Sequence, residues 1–176
     1  MRYNPQDVSH EIGPDGVEHM YVSGGLAMRV FIIFAVAYVM SYAFRAINAV
    51  IAQPLVQELG LTAGQLGFLA SAYFLSFAIM QLPVGVMLDR YGPRRVEAVL
   101  IGFAALGALL FAVADSYLVL WLGRALIGVG VSACLMAAVK AYSLYFRPHM
   151  QASLSSWMLV AGSLGALTVT TPVEAA

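Results

Sequence analysis

After a polar opening of about 25 residues, the chain runs as five long apolar segments separated by short polar connectors. The segments lie at about 27–51, 64–88, 96–114, 117–140 and 150–172. A helix needs about 20 residues to cross the hydrocarbon of a bilayer, and each segment comes close to that length or exceeds it. The apolar residues cover all faces rather than one stripe, as in helices embedded in lipid. Strands of a membrane barrel would alternate in segments of about ten residues, and no such alternation is present. The pattern predicts an all-α fold, a polytopic membrane bundle of five transmembrane helices. Turn residues mark the connectors: Gln53-Pro54, Asp89 to Pro93, Ala114-Asp115-Ser116 and Arg147-Pro148. Residues 1–25 hold Asp7, Glu11, Asp15 and Glu18, with Pro5 and Pro14 interrupting any helical period. They predict a flexible tail, and residues 26–176 the transmembrane domain. The tail is not a signal peptide, since no short basic segment leads directly into an apolar core. Pro83 falls inside the second span and predicts a kink. Trp121 and Trp157 suit the two interfacial belts.

Composition supports the same class. Hydrophobic residues make up 61% of the 176 positions and charged ones 10%, against about 25% charged in soluble domains. A single cysteine, Cys134, excludes a disulfide framework and a multi-cysteine metal site. Cys134 itself reads as a packing residue. No cofactor and no metal is called for. Nine basic and nine acidic residues cancel, so net charge suggests no nucleic-acid partner.

The placement of the charges is more informative than their sum. Arg2 and Arg29 precede the first span, Arg90, Arg94 and Arg95 lie between the second and third, and Lys140 and Arg147 lie between the fourth and fifth. The connectors on the opposite side carry Glu58 and Asp115 instead. The positive-inside rule then places the N-terminus in the cytoplasm, with the protein integral to the plasma (inner) membrane.

The second connector holds a denser pattern, Gly85-Val86-Met87-Leu88-Asp89-Arg90-Tyr91-Gly92-Pro93-Arg94-Arg95. Gly85 would let another helix approach closely. Gly92 and Pro93 would force a tight turn and start the next helix. Asp89 at the membrane edge would face a helix N-terminus or pair with an arginine; the plainer alternative is a basic anchor loop with one solvated acid. The pattern resembles the G-x-L-x-D-R-x-G-R-R signature of the major facilitator superfamily. A second stretch, Arg124-Ala125-Leu126-Ile127-Gly128-Val129-Gly130, is similar to that family's R-x-x-x-G-x-G in its fourth helix. The resemblance spans about residues 27–172.

The resemblance implies a secondary transporter, or permease, whose twelve helices form two six-helix halves around a cavity for a small-molecule solute. This chain would be a partial N-terminal half lying in the lipid bilayer, with a missing C-terminal half expected as its partner. By the same resemblance, Gly85, Asp89, Arg90, Gly92 and Arg94 would gate the cytoplasmic side. The fifth span has Gly162 and Gly165 but no glycine–proline pair like the family's antiporter motif. That makes drug–proton exchange the less favoured activity.

Two arginines lie inside spans. Charge at a helix centre in a bilayer costs at least about 2.5–3.5 kcal/mol, so both need a reason. Arg45 lies about six residues before the outer end of the first span and Arg124 about seven after the outer start of the fourth. At 1.5 Å per residue both sit roughly 9–10 Å below the outer surface, which suggests a shared electropositive cavity. Tyr38, Ser41, Tyr42, Arg45 and Asn48 share one face of the first helix. Tyr73, Phe77, Met80 and Gln81 form a softer stripe on the second. The candidate solute-binding set is therefore Arg45, Tyr42, Asn48, Tyr38 and Tyr73. Snorkelling to the outer interface is the alternative for Arg45. For Arg124, with Gly128 and Gly130, the family match favours a structural or coupling role over ligand contact. Ser156, Ser163 and Thr170 repeat every seven residues, a pattern that fits close helix packing better than a ligand site.

Some organic-anion carriers of the superfamily have an arginine late in their first helix, and Ser41 to Asn48 looks similar. It departs by having Phe44 where those proteins often have aspartate. A guanidinium can hold a carboxylate in two parallel hydrogen bonds, so an organic anion is the suggested substrate. With no Asp, Glu or His in the middle of any span, a titrating relay would have to sit outside this chain. The alternative class is a non-transporting membrane scaffold or interaction protein. An enzyme is not expected, because no carboxylate pair, Ser-His pair or metal cluster lies in the spans.

Overall fold

The computed structural model describes residues 8–12, 18–22 and 24–174. Two short strands open the chain, β1 (Val8–Ile12) and β2 (Glu18–Val22). Six helices follow: α1 (Gly24–Leu59), α2 (Ala63–Tyr91), α3 (Pro93–Ala112), α4 (Tyr117–Val131), α5 (Cys134–Tyr145) and α6 (Pro148–Glu174). The helices form the all-α bundle expected. Four spans among the described residues are long and apolar enough to cross a membrane: Gly24–Ile47, Ala63–Tyr91, Pro93–Ala112 and Tyr117–Tyr145. α6 stands where the fifth was expected.

Three boundaries differ from the sequence pattern. First, the opening is not wholly irregular. β1 and β2 pair antiparallel, with Val8 opposite Val22 and Ile12 opposite Glu18, and β2 packs against α5. Neither Val8–Ile12 nor Glu18–Val22 alternates apolar and polar residues, so the strand signal in the sequence is weak; Pro5 and Pro14 lie outside the described residues. Second, Gln53-Pro54 is not a connector. α1 runs on to Leu59, and the stop is Gly60, whose φ of 63° suits glycine rather than a residue with a side chain. Thr62 then caps α2 reciprocally with Gln65: the Gln65 amide donates to the Thr62 hydroxyl at 3.3 Å and the Thr62 amide to Oε1 of Gln65 at 2.9 Å. Third, the fourth span is broken into α4 and α5 at Ser132-Ala133.

The core is built on close helix crossings. Gly107 of α3 faces α4 so tightly that a Cβ there would lie 2.7 Å from the Ile127 amide nitrogen. Gly130 of α4 leaves no room for a Cβ against the Ala104 backbone. Gly128 stands in the same way against the Tyr73 carbonyl of α2. Gly162 and Gly165 of α6 seat the Tyr38 ring and Val39 of α1. Small residues let membrane helices approach in this way. The main cluster centres on Tyr142, Met158, Leu100 and Ala137, and a smaller one at the other end holds Leu61, Leu69 and Leu120. Large apolar residues such as Leu82, Val86 and Leu109 are exposed, as a lipid-facing surface requires.

Candidate functional site

α1 carries the central side chains. Its face bearing Tyr38, Ser41, Tyr42 and Arg45 turns inward, with Tyr38 and Ser41 buried and Arg45 half-buried. Tyr38 and Tyr42 meet edge to face, centroids 4.9 Å apart, and the Tyr38 hydroxyl donates to that of Tyr42 at 3.3 Å. The Arg45 guanidinium lies between two rings, 5.1 Å from the Tyr42 centroid and 5.6 Å from that of Phe77 on α2. Such stacking stabilises a cation by about 0.5–2 kcal/mol without using its N–H donors. Arg45 Nε is buried with no hydrogen-bond partner. These groups line a cavity of about 110 Å³, closed by Val131 of α4 and Leu135 of α5. A second hollow of about 220 Å³ between α1, α3 and the α4–α5 pair is lined by apolar side chains and Cys134; it offers a solute no polar anchor.

Tyr73 of α2 is fully buried beside this cavity and stacks on Phe77, centroids 6.3 Å apart. Its hydroxyl has no hydrogen-bond partner, although it lies within interaction range of both Arg45 and Arg124. Tyr73 does not line the cavity itself. The side chain of Asn48 lies outside the described residues. Three of the five candidates, Tyr38, Tyr42 and Arg45, are therefore brought together around one space, with Phe77 added from the softer stripe on α2.

Arg124 does not share that space, contrary to the matching-depth argument. Arg124 is 1% exposed and reaches the α1 backbone. There Nη1 donates to the Phe44 carbonyl at 3.3 Å, and the guanidinium stacks on Phe111 of α3 at 4.6 Å. Arg124 thus ties α4 to α1 and α3 one residue from Arg45, while its Nε and Nη2 remain without partners. Equal depth fixes height along the bundle but not the face on which a side chain emerges.

The break between α4 and α5 lies beside the same region. The Ser132 amide and hydroxyl both turn back to the Val129 carbonyl, at 3.3 and 2.6 Å. The Ser132 carbonyl is met by Gln81 Nε2 of α2 at 3.4 Å, which also contacts the Phe77 carbonyl. Irregular backbone at membrane depth persists where protein groups satisfy it.

The connector between α2 and α3 forms the predicted turn. Gly92 has a φ of 79° and Pro93 begins α3. Asp89 bridges Lys140 of α5 at 2.9 Å, both side chains more than a third exposed. Arg90 stacks on its neighbour Tyr91 at 5.5 Å, and Arg94 is exposed. Gly85 faces open space, with nothing within 4 Å of the position a Cβ would take, so no close helix approach uses it here. Ser156 and Ser163 are also exposed and bond back to their own helix, at 3.0 Å each. The packing face of α6 is instead that of Gly162 and Gly165; the side chain of Thr170 lies outside the described residues.

One buried acid was missed by the search for mid-span carboxylates. Glu97 is 4% exposed, and neither carboxyl oxygen has a hydrogen-bond partner. The apolar pattern sets it near the edge of its span, but α3 starts at Pro93 and places it one turn inside. An acid following a basic connector by so few residues was the available signal.

Comparison with known proteins bears on the family of the chain. The family described as the Major Facilitator Superfamily matches residues 33–173. Over 117 residues, 66% of this chain, the sequence is 33% identical to a probable sulfoacetate transporter of Cupriavidus necator, covering 27% of that protein. It is 30% identical over 61% of the chain to a probable galactarate/D-glucarate transporter of Escherichia coli, covering 23% of it. It is 33% identical over 55% of the chain to a nitrate/nitrite transporter of Picosynechococcus, covering 18% of it. The chain spans about a quarter or less of the length of these relatives.

Proposed function

The chain belongs to the major facilitator superfamily, and from that premise we propose that it supplies the first helices of a secondary transporter that moves a small organic anion by alternating access. It is an integral membrane protein, and its family points to transport rather than catalysis. The observation that carries the substrate class is Arg45. Its charge is stacked between Tyr42 and Phe77 beside a cavity, with Nε unengaged. A guanidinium held by its faces keeps its N–H edge for a planar anion, which it can grip with charge-assisted hydrogen bonds. The relatives named above are transporters of anions by their names, in keeping with this reading. Tyr38 and Tyr42 would orient the solute, and Asn48 is a further candidate on the same helix. The second half of the cavity would come from six further helices. The Asp89–Arg94 connector would face the cytoplasm and gate that side, in an inner membrane with the N-terminus inside.

The test is uptake of labelled sulfoacetate, galactarate and nitrate by the full-length protein in vesicles. One charge-assisted hydrogen bond to an anion contributes about 1.5–3 kcal/mol. Arg45→Gln should therefore weaken uptake of the transported anion by roughly tenfold or more, and Arg45→Lys should restore only part of it. Undiminished uptake by Arg45→Gln would sink the assignment.

A further inference from the structure

Glu97 has no part in the anion site described above. It lies on α3, which packs against α4, α5 and α2. An ionised carboxylate in this position would have no counter-ion, since both oxygens are buried and, among the described residues, no basic group reaches them. Burying a lone charge costs far more than burying a neutral acid. The titratable group that reaches Glu97 is the Cys134 thiol at the start of α5, itself buried. The cations on the surrounding elements are engaged elsewhere or turned outward. Lys140 of α5 is held by Asp89 of α2, and Arg124 of α4 by Phe44 and Phe111. Arg90 of α2 stacks on Tyr91, and Arg94 and Arg95 on α3 itself are exposed. Tyr142 of α5 donates to Met158, and Tyr117 of α4 to the Gln65 carbonyl. Ser41 lies within interaction range of the Cys134 thiol and also lines the Arg45 cavity.

We propose that Glu97 is a proton-binding site, separate from the anion cavity, that keeps its proton while α3 packs on α5 and releases it when that packing opens to water. The step is simple acid dissociation: the O–H bond breaks, its electron pair stays on the carboxylate, and water accepts the proton. The packed form binds one proton more than the opened form. By linkage, acid favours the packed form and alkali the opened one. This property belongs to the helices themselves and does not depend on which solute the protein carries.

The experiment uses the full-length protein in lipid nanodiscs, without solute. Infrared difference spectra should show a carboxylic-acid carbonyl band that disappears as the pH is raised and is missing from Glu97→Gln. Glu97→Asp should keep a titrating band at a shifted position, which guards against misfolding of the glutamine variant. Spin labels at Val99→Cys on α3 and Val139→Cys on α5, both exposed positions, should report a longer-distance population that grows with pH in the wild type and not in Glu97→Gln. A wild-type spectrum with no band sensitive to Glu97 would overturn the proposal. So would a Glu97 band that persists unchanged at all pH values, or a label distance that responds to pH equally in both proteins.

Discussion

Arg124 shows how a charge is held inside this bundle. One Nη1–H reaches the Phe44 carbonyl, and the flat face of the guanidinium rests on Phe111 at 4.6 Å. Removing the ring removes the cation–π contact, worth about 1–2 kcal/mol in a desolvated site. Phe111→Leu should therefore lower the thermal stability of the full-length protein by about that amount while leaving the Arg45 cavity intact, measured by thermal unfolding in detergent. Arg45 poses a different case, since its aromatic cradle leaves Nε unpaired while the residue lines the cavity. The two arginines look alike along the chain, but one stitches three helices together and the other faces a hollow.

The helices owe their packing to a few glycines, and these are not equivalent. A methyl at Gly130 would meet the Ala104 backbone, which cannot yield as a side-chain tip can. A methyl at Gly85 would meet nothing within 4 Å. Gly130→Ala should therefore cost about 1–3 kcal/mol through overpacking and reduce the folded yield. Gly85→Ala should leave stability unchanged or raise it by up to about 1 kcal/mol, because alanine is the better helix former. Comparing detergent-extracted monomer for the two variants checks this. The α4–α5 break adds a polar constraint. Gln81→Leu would strip the Ser132 carbonyl of its side-chain donor, a loss of about 1–3 kcal/mol for a buried acceptor. The same thermal assay should detect it.

Over the whole bundle, the α2–α3 connector, the second half of α5 and the hairpin gather at one end, joined by the Asp89–Lys140 bridge and by β2 against α5. An exposed ion pair contributes about 0–1 kcal/mol, so Asp89→Asn should barely move stability. If the connector gates one side, the same variant should slow transport severalfold, and exchanging the pair as Asp89→Lys with Lys140→Asp should recover part of the rate. Topology has its own check. A cysteine replacing Ser116, exposed between α3 and α4, should react with an impermeant thiol reagent from outside the cell, and one replacing His149 should not. The reverse labelling would invert the orientation argued from the basic residues.

The amino-acid sequence alone was enough for the membrane class, the order of the apolar segments, the turn at Gly92-Pro93 and the inward face of Tyr38, Ser41, Tyr42 and Arg45. These follow from local quantities: segment length, helical period and the backbone freedom of single residues. Tertiary packing decided the rest. It broke the fourth span at Ser132 and gave Asp89 a lysine partner. It set Arg124 against Phe111 instead of the cavity and enclosed Glu97 among α3 and its neighbours. Each of these depends on which faces of distant helices meet. Burial, and with it the cost of a charge, is a property of that meeting and is not written in the pattern of any one segment.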